Sequence, residues 1–477
     1  MKITRKNIDL RKKFSSLYKF IRKNHFLLIL FLLSTSFFIY QYSKELSWDF
    51  IVYLMNAKHY LGKIEYFEWV RPPLPSFLMI LFSFFGWEFS PIIYIILTSS
   101  LFLFSSVKLA RSFGFDEKLF YLISLAPYVL IYGTFIGTEL LTFSLIELFI
   151  AYFKKGKEKT ATIFLGLSTL VRYPNIIFLS LLIFYKNPKK ILISFILVGL
   201  IWFPWLTFNY IKTGNPLASF LDSYLMNILN RNNQFSLQYQ DFIIIGILFP
   251  TFILGLRKFE IKNKFHWMFL LIFALTLFSY LNTPIKVERY LFNLNLPLIF
   301  FSYLWLEKKL EKKILYIIFI LSISTALFLV TSRSYGYGTK GENLKRIIEE
   351  MPSCRTQSNN WVFLNYFGFT SEPAPWKNKV EENINQGIRI LLFKSIPDPE
   401  YTQNQTFLLQ FPLIEETNNY ILLGKSDMCL EQIPVTRTYM ERFEENTGIE
   451  VNECEIIMGE PLCGFFGLDQ KFDISTK

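Results

Sequence analysis

The sequence predicts an α-helical protein that crosses a membrane about eleven times and ends in a small α/β domain. Of its 477 residues, 52% are hydrophobic and 18% aromatic, with 53 Phe and a mean hydropathy of +0.31. Long apolar runs recur as far as residue 331 and then stop. This combination is typical of polytopic membrane proteins. We therefore divide the chain into a transmembrane domain, residues 1–331, and a C-terminal domain, residues 340–477.

Nine apolar runs are predicted to be spans, although several are shorter than the roughly 20 residues of an untilted transmembrane helix. They are residues 25–42, 89–110, 119–136, 140–153, 190–208, 242–257, 265–281, 290–306 and 314–331. Two shorter runs, 160–171 and 174–185, meet at Arg172-Tyr173-Pro174 and are interpreted as a helical hairpin, which completes eleven spans. The run 72–87 opens with two prolines and is interpreted as a helix that lies in the membrane interface.

The basic residues indicate which ends of the spans face the cytoplasm. One set of loops, beginning with residues 1–24, holds 27 Lys and Arg, whereas the opposing loops up to residue 331 hold nine. The positive-inside rule then places the N-terminus in the cytoplasm, as an uncleaved signal anchor, and the C-terminal domain outside the cell membrane. Membrane topology and attraction to anionic membrane lipid thus account for the net charge of +12. The charge requires no nucleic-acid partner.

The C-terminal domain is predicted to alternate helix and strand. Residues 341–351 have a helical period, and the segments 359–367, 387–393 and 418–424 have the composition of short buried strands. All four cysteines lie in this domain, which favours two disulfides in an oxidising exterior and leaves three possible pairings; they are Cys354, Cys429, Cys454 and Cys463. Free cysteines in a small core are the alternative. A zinc site is disfavoured because the domain has no CxxC pair and no histidine.

Charged residues gather on the predicted outer face. They are the acids Asp49 and Glu139 and the cations Arg172, Lys286 and Arg289. An acid that accepts a proton and cations that hold a phosphate suit a reaction with an anionic leaving group. The alternatives are that Glu139 is a carboxylate favoured at a helix start, and that Lys286 and Arg289 are interfacial cations that reach toward water.

An ordered series of motifs gives this chain a family resemblance. Trp48-Asp49-x₃-Tyr53 is followed by Arg71-Pro72-Pro73-Leu74, Glu139, the hairpin tip at Arg172-Tyr173, Pro204-Trp205, Asn209-Tyr210, Gly214-Asn215-Pro216-Leu217 and Glu288-Arg289-Tyr290. Each motif is weak by itself, but in this order the chain resembles the GT-C superfamily of glycosyltransferases. The branch is the one that contains protein O-mannosyltransferases and lipid A aminoarabinose transferases. The resemblance covers roughly residues 24–306 and not the C-terminal domain.

The resemblance implies an inverting transferase that moves one sugar, a hexose such as mannose, from a dolichyl- or polyprenyl-phosphate carrier. The acceptor would be a lipid-linked glycan, a lipid or a protein at the outer face. The family pattern assigns Asp49 as the catalytic base and Glu139 as a second acid. The substrate-binding candidates are Arg172, Arg289, Lys286, Arg71 and Tyr53. Phe50 stands where the family often has a second acid. A monophosphate leaving group does not demand a metal, and no cofactor is expected.

Three rival functions remain at this point. An oligosaccharyltransferase-like enzyme would need an acidic metal cluster and a WWD-type motif in the C-terminal domain, where Trp361 stands without either. A transporter or flippase of a lipid-linked substrate would show internal repeats and charges at the middle of the membrane. A receptor-like scaffold with an exterior binding domain stays open.

Overall fold

The computed structural model describes residues 3–44, 47–229, 246, 248–282, 288–309, 311–332, 344, 347–349, 354–431 and 437–448. The first fourteen helices are α1 Ile3–Lys44, α2 Trp48–Tyr60, α3 Leu74–Phe82, α4 Ser90–Phe113, α5 Glu117–Ser124, α6 Pro127–Tyr132, α7 Glu139–Lys154, α8 Glu158–Val171, α9 Pro188–Thr213, α10 Ala218–Leu229, α11 Leu248–Leu256, α12 Lys264–Asn282, α13 Asn295–Lys309 and α14 Lys312–Ser332. Four of the described helices are long and apolar enough to cross a membrane: Asn24–Lys44, Ser90–Phe113, Pro188–Thr213 and Lys264–Leu281. The architecture is that of a multi-pass membrane protein.

The other predicted spans are built from shorter or irregular helical segments. The run 119–136 divides into α5 and α6 because Pro127, the first residue of α6, has no N–H to continue the helix before it. The run 290–306 begins as a 3₁₀ helix, Glu288–Leu294, and continues as α13. The count of eleven spans therefore stays a prediction.

The hairpin and the proline-opened run have the expected local breaks. Helix α8 ends at Val171, Arg172 is extended with φ −148° and ψ 120°, and a 3₁₀ helix, Tyr173–Tyr185, follows. After α3, a short 3₁₀ turn ends at Gly86, whose φ of 105° is favourable only for glycine. The placement of α3 in the membrane interface stays a prediction.

Helix α2 is packed between two cores. Phe50, Tyr53, Leu54 and Ala57 have the i, i+3, i+4, i+7 spacing of one helix face and belong to the core of the transmembrane domain. The opposite face, Ile51, Val52 and Met55, belongs to a second core. That second core is otherwise built from the loop after α2 and the C-terminal domain, including Val362, Leu364, Leu391 and Phe393. The C-terminal domain therefore contacts the helix that carries Asp49.

The C-terminal domain contains a five-stranded sheet with strand order β2-β1-β3-β5-β4. Strand β1 is parallel to β2 and β3, whereas β5 is antiparallel to β3 and β4, and Leu391 lies opposite Leu422. The strands are β1 Thr356–Ser358, β2 Glu372–Pro373, β3 Arg389–Phe393, β4 Leu413–Glu416 and β5 Tyr420–Leu423. The helices are α15 Trp361–Tyr366, α16 Val380–Asn385, α17 Gln405–Leu408 and α18 Tyr439–Thr447.

The strand predictions for this domain are partly right. Strands β3 and β5 lie in the predicted segments 387–393 and 418–424, but the predicted strand at 359–367 is wrong, because its centre is the helix α15. The apolar part of this run is too short to show a period that separates a buried strand from a buried helix. Asn365 stabilises the helical turn, since its side chain donates to the Trp361 carbonyl oxygen at 2.8 Å. In the predicted helix 341–351, the described residues 344 and 347–349 are helical.

A disulfide joins Cys354, just before β1, to Cys429, after β5. Beside it, the Arg355 N–H donates to the Leu430 carbonyl oxygen at 2.7 Å, so the two segments are also held by the backbone. Cys454 and Cys463 lie outside the described residues, and their pairing stays a prediction.

Candidate active site

Asp49 lies in the first turn of α2, where the helix dipole favours a carboxylate. Its side chain is buried, with 8% of the residue exposed. Both carboxylate oxygens are occupied: Arg71 donates to Oδ1 and Arg289 donates to Oδ2. Two residues that are 218 positions apart in the chain thus meet on one acid.

The loop that carries Arg71 is fixed on both sides. The Asn56 side chain donates to the Glu68 carbonyl oxygen at 2.8 Å and accepts from the Glu68 N–H at 2.9 Å. The Ser219 hydroxyl of α10 donates to the Trp69 carbonyl oxygen at 2.5 Å. Pro72 then restricts the backbone of Arg71 itself. The backbone that carries Arg71 is therefore fixed independently of Asp49, which limits the positions that its guanidinium can reach.

Glu139 and Arg172 form a second ion pair, in which Nη1 of Arg172 lies 3.2 Å from Oε1 of Glu139. Glu139 opens α7 and is 1% exposed. The turn before it requires glycine: Gly137 has a φ of 88°, and a Cβ there would lie 2.9 Å from the Phe50 ring. Phe50, at the position of the family's second acid, therefore supports the turn that presents Glu139.

Tyr290 joins the two ion pairs into one site. Its ring centroid lies 5.5 Å from the Arg289 guanidinium carbon and 5.8 Å from that of Arg172, which is within cation–π range of both. Tyr53 follows Asp49 by one helical turn and is buried, with 3% exposed. The electrostatic neighbours of its hydroxyl are the ionised residues of both pairs. The site contains two carboxylates and three guanidiniums, so it carries one net positive charge.

The arginines dominate the electrostatics of Asp49. Burial by itself raises the pKa of a carboxyl group, but the charges and hydrogen bonds of Arg289 and Arg71 outweigh it and hold the pKa of Asp49 well below its ordinary value. The pKa of Arg289 is raised in turn, since the charge of Asp49 outweighs its own burial. An acid with such a low pKa is a weak proton acceptor. In the structure, Asp49 is therefore the shared partner of two ion pairs, one with Arg71 and one with Arg289.

The remaining motif residues have two different outcomes. Lys286 lies outside the described residues. The motifs of α9 serve the scaffold: Trp205 donates to the Tyr173 hydroxyl at 2.9 Å, and Asn209 donates to the Pro216 carbonyl oxygen at 3.1 Å. Within the described residues, no group of three or more His, Cys, Asp or Glu side chains is placed to hold a metal ion.

A further polar cluster was missed by the sequence analysis. Asp222 of α10 accepts hydrogen bonds from the backbone N–H groups of Tyr439 and Met440 at 2.7 and 3.0 Å, so it caps the first turn of α18. From the same helix, Arg442 donates to the Tyr66 hydroxyl at 3.3 Å and lies 3.8 Å from Glu68. No spacing in the sequence relates these residues. The cluster connects the C-terminal domain to the loop that carries Arg71.

The fold is shared with solved structures of ArnT, and it agrees with the fold expected from the motif resemblance. Two crystal structures of ArnT from Cupriavidus metallidurans are similar to this chain. The one bound to undecaprenyl phosphate has a TM-score of 0.61 and 9% identity, covering 85% of this chain and 99% of ArnT. The apo structure has a TM-score of 0.58 and 8% identity, covering 83% and 97%. No protein-family model and no curated protein matches the sequence.

Proposed function

We propose that this protein is an integral-membrane, inverting glycosyltransferase that uses a polyprenyl-phosphate sugar as its donor. The observation that carries the proposal is the placement of one acid, Asp49, between two arginines in a fold shared with ArnT. One of those ArnT structures is bound to undecaprenyl phosphate. The proposed donor carries the same chemical group, a lipid monophosphate.

Arg71 and Arg289 are the proposed phosphate-binding residues. A guanidinium matches the oxygens of a phosphate with two parallel N–H donors, and both arginines are only partly buried, with 21% and 25% of their side chains exposed. The Tyr290 ring lies 5.5 Å from the Arg289 guanidinium carbon, a cation–π contact that favours this position of the guanidinium. The net positive charge of the site also favours an anionic donor.

Donor binding is proposed to activate the base. In the structure, both arginines donate to Asp49 and hold its pKa low. A bound phosphate competes with Asp49 for the guanidinium N–H groups of Arg71 and Arg289. Its negative charge also offsets the positive charge by which the arginines lower the pKa of Asp49. The pKa of Asp49 then rises toward its ordinary value of about 3.9, which makes the carboxylate a stronger proton acceptor. Proton removal from the acceptor is thus coupled to the presence of the donor.

The transfer itself is a single displacement. The acceptor hydroxyl gives its proton to Asp49 while its oxygen attacks the anomeric carbon of the sugar. The bond from that carbon to the phosphate oxygen breaks, and the electron pair leaves with the polyprenyl monophosphate. Because the attack and the departure occur on opposite faces, the configuration at the anomeric carbon inverts. Arg71 and Arg289 stabilise the charge that develops on the leaving oxygen.

Arg172 and Glu139 are proposed to bind substrate beside this centre. Arg172 neutralises Glu139 in the described state and shares the Tyr290 ring with Arg289. A movement of Arg172 toward the phosphate would leave Glu139 free to accept a hydrogen bond from the acceptor. The proposed transferred group is a single hexose such as mannose. The proposed acceptor is a lipid-linked glycan, a lipid or a protein at the outer face of the cell membrane.

Transfer by purified protein tests the proposal. Synthetic undecaprenyl-phosphate hexoses with a radiolabelled sugar would be incubated with the protein and with a membrane extract from a deletion strain as the acceptor pool. We expect Asp49→Asn to reduce labelled product at least ~100-fold, the lower limit for loss of a general base. The matched control is Asp116→Asn, which replaces the cap of α5 by another good capping residue and should leave transfer unchanged.

Two further measurements decide the assignment of roles. Arg172→Ala should raise the KM for the donor more than the KM for the acceptor. The loss of transfer in Glu139→Gln should lie between the losses in Asp49→Asn and Arg172→Ala. EDTA should leave transfer unchanged. Near wild-type transfer by a folded Asp49→Asn protein would move the base to Glu65, Glu68 or Glu139, and abolition of transfer by EDTA would favour the pyrophosphate-dependent rival.

A further inference from the structure

A polar cavity of about 190 Å³ lies in the C-terminal domain, away from the ion pairs of the candidate active site. It is enclosed by the edge of the sheet at β1 and β2, by α16 and by α18. Tyr66, from the loop between α2 and α3, completes its wall. The volume is below the roughly 300–1,000 Å³ of sites for drug-sized ligands, so it suits a ligand of one or a few small rings.

The charges around this cavity are paired among themselves. Arg355 makes two parallel hydrogen bonds to Glu372, at 2.9 and 3.1 Å, Lys379 lies 2.7 Å from Glu382, and Arg437 pairs with Glu445. The fourth cation, Arg442, is directed to Tyr66 and Glu68. A site for a phosphate or another anion would need cations that are not already neutralised. The cavity therefore offers donors and acceptors without a strong charge of either sign.

Amide and aromatic side chains complete the lining. Asn383 donates to the Gln357 side-chain oxygen at 2.8 Å, which leaves each amide further capacity to donate or accept. Trp376 and Tyr439 line the same space as Tyr66. Hydroxyl groups both donate and accept hydrogen bonds, and the C–H faces of a sugar ring pack on aromatic rings. This combination matches a carbohydrate better than an anion or an apolar peptide.

We propose that this cavity binds a glycan, as a subsite for a carbohydrate acceptor. The inference rests on the proposed glycosyltransferase function and narrows its acceptor class from lipid, protein or glycan to a glycan chain. The chain itself provides the connection, because Tyr66 is five residues from Arg71, which contacts Asp49. Five residues span at most about 18 Å. An oligosaccharide held at Tyr66 can therefore extend its end toward the Asp49 carboxylate.

Binding of soluble trisaccharides to the full-length protein in detergent tests the proposal. The probes are mannotriose, maltotriose and chitotriose, with inorganic phosphate as the anionic comparison, measured by saturation-transfer NMR. We expect at least one trisaccharide to bind with a Kd below 10 mM, and the Kd to rise at least ~10-fold in Asn383→Ala and in Trp376→Ala. Asn385→Ala is the matched control, since Asn385 is exposed on the same helix and does not line the cavity.

The outcomes separate this proposal from the proposed function. Because binding is measured without donor, loss of transfer in Asp49→Asn bears on the reaction and not on the cavity. Absence of trisaccharide binding, binding that Asn383→Ala leaves unchanged, or binding of phosphate alone would each overturn the glycan site. If Trp376→Ala loses protease resistance, Asn383→Ala decides, because alanine has the higher helix propensity and the backbone of α16 should persist.

Discussion

Helix α2 packs against the C-terminal domain through Met55. We therefore predict that truncating Met55 weakens this contact and disturbs the helix that carries Asp49. Met55 is fully buried, with 0% exposed, among residues of the C-terminal domain and the loop after α2. Replacing a buried Met by Ala costs about 2–5 kcal/mol, the sum of lost burial and a residual cavity. Since the opposite face of α2 remains packed in the transmembrane core, we expect Met55→Ala to weaken the docking of the C-terminal domain and to reduce transfer.

Limited proteolysis of the purified protein measures the docking. The rate of cleavage in the C-terminal domain should rise in Met55→Ala. If cleavage follows the population of the undocked form, a loss of ~2 kcal/mol corresponds to a rise of about 30-fold. Met55→Leu, a swap of similar volume, should stay near wild type. Met268→Ala is the matched control: Met268 is also 0% exposed, but it belongs to the core of the transmembrane domain.

The reasoning is refuted if Met55→Ala and Met268→Ala expose the C-terminal domain to protease equally, since the effect would then be a general loss of stability. It is also refuted if Met55→Ala keeps both wild-type protection and wild-type transfer. Transfer that falls while protection is unchanged would show that α2 acts on Asp49 without the C-terminal domain.

Three other predictions concern pH, topology and the cysteines. Burial raises the pKa of Asp222 to about 7, so ionisation of Asp222 destabilises the folded state increasingly as the pH rises from about 4 to about 7, and no further above that. The melting temperature of the wild type relative to that of Asp222→Asn should therefore be higher at pH 5 than at pH 8. An equal difference at the two pH values contradicts this. Protease added to intact cells should remove the C-terminal domain, and protection until the membrane is breached would invert the predicted topology. Non-reducing peptide mapping should find Cys354 linked to Cys429, as in the structure, and Cys454 linked to Cys463; four alkylatable thiols in the native protein would refute both pairs.

The sequence by itself predicted a multi-pass, mainly helical membrane protein, because burial in a membrane demands long apolar runs, but it did not predict how the shorter runs divide into helices. It also predicted strands β3 and β5, whose β-rich runs are flanked by glycine and asparagine. It failed at 359–367, where a short and largely buried run has no clear period that distinguishes strand from helix. The motif order was informative about fold at an identity of 9% to ArnT, where no family model matches.

The tertiary structure alone decided how the charged residues meet. Asp49, Arg71, Glu139, Arg172 and Arg289 were each conspicuous in the sequence as charges beside apolar segments, since a charge at that depth needs a partner. Their pairing depends on the packing of α2, α7, the hairpin tip and the 3₁₀ helix that carries Arg289, and no local pattern records it. The same holds for Asp222 and Arg442, which lie in ordinary amphipathic helices. The sequence shows which residues are charged, but it does not show which of them are paired. An ion pair between distant segments forms only when the whole fold brings those segments together.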